Sequence, residues 1–69
     1  MISYAPLWRT MKEKKATTYT LRNREEDYYI GSGTYKRLKE GQSVSTNTLD
    51  TLCKILDCRL EDVVAYVPD

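Results

Sequence analysis

The sequence predicts an all-α domain of five short helices with no sheet. Apolar residues recur at helical spacing, most clearly Leu49, Leu52, Cys53 and Leu56 at i, i+3, i+4 and i+7. Capping and helix-ending residues punctuate the chain at Thr17-Thr18, Gly31 to Gly33, Gly41, Thr46-Asn47 and Pro68. The one strand-like stretch, Asp27-Tyr28-Tyr29-Ile30, has no second strand to pair with, and a lone strand is not stable.

The first helix is expected from about Tyr4 to Lys14. Pro6 fits near its start, and Leu7 and Met11 share a face with Trp8 beside them. Lys12, Lys14 and Lys15 gather at its C-terminal end, where the helix dipole favours cations. Thr17 or Thr18 caps a second helix, roughly Tyr19 to Glu26, anchored by Leu21. Glu25 to Ile30 reads as the end of that helix and a turn. The third helix, Ser32 to Lys39, turns Tyr35 and Leu38 inward and leaves Lys36, Arg37 and Lys39 outward. Gly41 suits the left-handed residue that closes it. Thr46 or Asn47 caps the fourth helix, which runs to about Asp57. A fifth helix, about Leu60 to Tyr66, would bury Leu60, Val63 and Val64, with Val67 as a further candidate, before Pro68 stops it.

Composition narrows the function. A chain of 69 residues is expected to form one domain with a thin core and little room for a deep catalytic pocket. Histidine is absent, and two cysteines, Cys53 and Cys58, complete neither a disulfide scaffold nor a tetrahedral zinc site. Cys53 lies on the apolar face of its helix, where a thiol acts as a small hydrophobe. No Walker loop or G-x-S-x-G elbow is present, so neither an enzyme nor a cofactor or small-molecule site is expected. No signal peptide or membrane span is seen, which points to a reduced, cytoplasmic protein. Glu25, Glu26 and Asp27 do not alternate as calcium ligands do and read as a solvated helix end.

The net charge is only +1, but it is unevenly distributed. Residues 1–24 carry six bases against one acid, and Lys36, Arg37 and Lys39 form a second cluster. The acids gather at Glu25 to Asp27 and from Asp50 onward. The third helix concentrates the chemistry. It opens on small residues, Gly31, Ser32, Gly33 and Thr34, which let a helix end sink into a DNA major groove. Amides and hydroxyls there meet phosphates or base edges. Arg37 is suited to a bidentate bond to a guanine edge, and Lys36 to base or phosphate. Gly33 costs about 1 kcal/mol against Ala inside a helix, which fits either close approach to a ligand or tolerance near a helix end.

The block Thr34-Tyr35-Lys36-Arg37-Leu38-Lys39-Glu40-Gly41, with Gln42 to Leu49, Leu52 to Cys58 and Asp62 to Asp69, resembles the Cro/C1-type (XRE-like) helix-turn-helix regulators of bacteria and phage. The resemblance covers nearly the whole chain. It implies a compact lambda-repressor-like fold with helices two and three as the DNA-binding pair. It places Thr18 on a phosphate, Ser32, Gly33, Lys36 and Arg37 before the bases, and Gln42 and Ser43 against the backbone. The implied partner is double-stranded DNA, commonly engaged by a homodimer. Two departures stand out: Gly31 occupies a position where the family commonly has Ser, and Leu21 to Ile30 is about three residues longer than the usual turn. The extra length is acidic and would repel phosphate unless it points away. The rival is a protein-interaction module on the same fold, with Tyr28, Tyr29 and Tyr66 as an aromatic patch.

Overall fold

A computed structural model describes residues 1–69. Four α-helices form the body: α1 (Ala5–Glu13), α2 (Thr18–Arg22), α3 (Ser32–Lys39) and α4 (Thr46–Leu56). A single 3-10 turn follows at Leu60–Asp62. Two short strands, β1 (Ile2–Ser3) and β2 (Ala65–Tyr66), pair antiparallel, with Ile2 opposite Tyr66 and Ser3 opposite Ala65. The core is one cluster: Tyr4, Leu7, Met11, Leu21, Ile30, Leu38, Leu52, Leu56 and Val63. Each helix contributes, so none is stable without the others.

The expected fifth helix and the expected absence of a sheet are both corrected. The helical turn ends at Asp62, whose carboxylate accepts from the Arg59 amide at 3.0 Å. Val63 is fully buried, and the chain then extends through β-branched and aromatic residues that favour strands. Ile2–Ser3 supplies the partner strand, which the N-terminal sequence does not advertise. Thr10, buried on α1, donates to the Asp62 carbonyl at 2.7 Å and fastens this segment down.

Helix α2 is also shorter than expected, ending at Arg22 rather than Glu26. Asn23 stops it. Its side-chain oxygen accepts from the Glu25 amide at 3.1 Å and its carbonyl from Glu26 at 3.2 Å, a local turn that competes with helix. The chain then wanders until the Ile30 amide returns to the Leu21 carbonyl at 2.8 Å. At the other end, Thr20 Oγ1 accepts from the Thr17 amide at 3.0 Å. The cap of α4 is Ser45, not Thr46 or Asn47: its hydroxyl accepts from the Thr48 amide at 3.2 Å.

Three helices close in the same way. Lys15, Gly41 and Asp57 adopt left-handed backbones after α1, α3 and α4. The next amide in each case bonds back to the last turn: Ala16 to Met11 at 2.8 Å, Gln42 to Arg37 at 2.8 Å, and Cys58 to Cys53 at 3.1 Å. The third closure brings the two free cysteines together, both half-buried. Burial pushes the Cys58 thiol up, with Cys53 and Asp62 adding to the effect, so it sits as a neutral packing group.

Candidate nucleic-acid interface

Helix α3 has the predicted boundaries. Its first residue follows Gly31, whose backbone is extended, and no side chain caps the first turn. The early amides therefore stay open to an outside acceptor. Ser32, Gly33, Lys36 and Arg37 are exposed, while Leu38 is buried on the opposite side. A Cβ built on Gly33 meets nothing within 4 Å, so packing within the chain does not require glycine there.

Thr34 and Tyr35 are half-buried and mark the two flanks of this face. On the Thr34 side, Thr34 and Arg37 line a notch with Ser43, Val44, Ser45 and Thr48. Two hydrogen bonds at Gln42 anchor the loop that enters the notch. The Tyr4 hydroxyl donates to the Gln42 carbonyl at 2.7 Å, and the Gln42 amide donates to Arg37. The predicted residues Gln42 and Ser43 are exposed here.

On the other flank, the Tyr35 hydroxyl lies 2.8 Å from Thr18 Oγ1, at the first turn of α2. The Tyr35 ring meets Trp8 of α1 edge-on, with centroids 6.3 Å apart. Lys39 behaves differently from its neighbours: its Nζ lies 5.2 Å from the Trp8 centroid and 6.0 Å from that of Tyr35. It leans toward α1, beside the seam between α2 and α3, and away from the notch.

Residues 6–69 match the Cro/C1-type HTH DNA-binding domain. The chain belongs to that family. It is also similar in fold to the crystal structure of transcriptional regulator VanUg, form II, with a TM-score of 0.82 at 24% identity, covering 99% of this chain and 87% of that one. No curated protein matches it.

In this Cro/C1-type domain, α2 and α3 are the helix-turn-helix pair and residues 23–31 are the long turn. Glu26 and Asp27 line a recess with Tyr19, Asn23, Lys54 and Ile55, against the C-terminal half of α4. The Lys54 ammonium sits 5.0 Å from the Tyr28 centroid and 2.9 Å from an Asp50 carboxylate oxygen, whose hydrogen bond and charge raise its pKa. The notch beside α3 lies instead at the N-terminal half of α4. Thr48 stands six positions before Lys54 on α4, about 9 Å along the helix axis.

Tyr4, Ser45 and Thr48 were not legible as site residues. Tyr4 acts through a carbonyl 38 positions away, and no local signal marks that contact. Ser45 carried a signal, since serine is a preferred helix cap, but two other candidate caps, Thr46 and Asn47, lie directly behind it.

Proposed function

We propose that this Cro/C1-type domain regulates transcription by binding duplex DNA sequence-specifically, with α3 in the major groove. The observation that carries the reading is the outward face of α3: small at Ser32 and Gly33, cationic at Lys36 and Arg37, and walled by the notch at Ser43 to Thr48. The exposed Arg37 guanidinium is placed to read a guanine edge. Lys36 reads a base or grips a phosphate. Thr34 and Ser43 contact the backbone from the notch, Gln42 from the loop before it, and Thr18 and Lys39 from the opposite flank. The likeness to a transcriptional regulator supports the regulatory role. Binding is the whole activity, without a catalytic step or cofactor, in a single cytoplasmic domain that engages its operator as a homodimer.

Selection of a random duplex library at two salt concentrations tests this. Wild type enriches a motif, and two inverted half-sites are the expected signature of a homodimer. Arg37→Ala loses preference at one base position per half-site, worth about 1–3 kcal/mol of discrimination. Binding weakens steeply with salt. No enrichment, with Arg37→Ala binding like wild type, sinks the reading and leaves the face as a protein-docking surface.

A further inference from the structure

The Tyr35 hydroxyl lies 2.8 Å from Thr18 Oγ1, and both groups sit at the molecular surface. Tyr35 otherwise looks like a packing residue: half-buried, three positions before the fully buried Leu38, with its ring edge-on to Trp8. A ring used only for packing needs no oxygen, and phenylalanine would serve. The hydroxyl instead reaches past the core to the start of α2.

Two hydroxyls sharing one hydrogen bond have two protons between them. One lies in the bond, and the other remains free to donate outward. The bond also restrains both rotors. The Lys39 ammonium lies 6.0 Å from the same tyrosine ring, held there by Trp8 and Tyr35. A spare O–H donor and a fixed cation on one flank of α3 match the needs of a phosphodiester oxygen.

We propose that Tyr35 is a positioning residue for DNA, its hydroxyl and that of Thr18 forming one unit that holds a backbone phosphate beside Lys39. The proposal rests on the DNA-binding reading above and adds to it a residue of α3 that the bases never meet. In this arrangement Tyr35 does three things. It packs against α1, sets the distance between α2 and α3, and aims the Thr18 hydroxyl.

The test uses the full chain and a mixed-sequence 20-base-pair duplex, because a phosphate contact contributes to binding whatever the sequence. Tyr35→Phe keeps the ring, its edge contact with Trp8 and its face toward Lys39, and removes only the oxygen. Thr18→Val removes the partner hydroxyl at nearly constant shape. Each single variant is expected to weaken duplex binding about three- to tenfold, measured well below its melting temperature, as for loss of one hydrogen bond. The double variant is expected to bind no worse than the weaker single, since either change breaks the unit. The slope of log affinity against log salt stays at the wild-type value in Tyr35→Phe, which removes no cation, and falls by about one in Lys39→Gln. Tyr35→Phe that melts earlier but binds like wild type shows a purely structural hydroxyl and overturns the proposal. So do single effects that multiply in the double variant. Wild type that binds no duplex overturns the DNA-binding reading as well, and is told apart by failing before any substitution is made.

Discussion

Lys15, Gly41 and Asp57 hold the same left-handed backbone at three helix ends, but only one of them is glycine. A side chain in that region costs about 1–2 kcal/mol, and Asp tolerates it better than Lys. Lys15→Gly removes this cost and loses part of the gain to the greater freedom of an unfolded glycine. The expected result is a net stabilisation of about 0.5–1 kcal/mol, seen as a melting temperature higher by about 2–8 °C in a domain of this size. An unchanged or lower melting temperature for Lys15→Gly refutes the strain argument. The role of Gly41 could be read in the sequence, because glycine after a basic, helix-compatible run is a strong terminator. Lys15 and Asp57 carried no such signal. Their backbone is imposed by the bonds from Ala16 and Cys58, which satisfy the last turns of α1 and α4.

Among the elements, α3 was the most legible and α2 the least. Both boundaries of α3 are set by glycines beside it, while α2 ends at Asn23 through a side-chain turn that an apolar pattern does not register. β1 and β2 escaped because each has two residues and neither means anything until the other is placed opposite. The interface followed the same division. The exposed face of α3 was read directly from its sequence, whereas the hold of Tyr4 on Gln42 depends on folding. Gly33 offers an element-scale test with opposite signs. In Gly33→Ala the new methyl meets nothing in the free protein and helix propensity improves by up to about 1 kcal/mol, so the melting temperature rises. The same methyl stands where α3 is proposed to enter the groove, so duplex affinity falls. Calorimetry and anisotropy titration on one sample read both signs. A stability gain with unchanged affinity places Gly33 away from the DNA.

At the scale of the whole molecule, a nearly neutral chain keeps its charges apart by folding. Lys36 and Arg37 are exposed on α3, and the acids Glu26 and Asp27 fold toward the far half of α4. The sequence showed that the charges are clustered but not which way the turn bends, because that depends on Ile30 returning to Leu21. The paired strands have a consequence of another kind. Val67 donates to the Met1 carbonyl at 2.8 Å, and the Met1 ammonium lies 2.9 Å from an Asp69 carboxylate oxygen. The chain is therefore nearly a ring, and its order of synthesis is separable from its architecture. A short glycine-rich bridge from residue 69 to residue 1, with a new opening between Asp27 and Tyr28, breaks none of the core contacts and falls within an exposed turn. Such a permutant is expected to keep its helical circular dichroism and to melt cooperatively. Loss of cooperative melting would mean that the acidic turn, and not the meeting of the ends, holds the two halves of the helix-turn-helix in register.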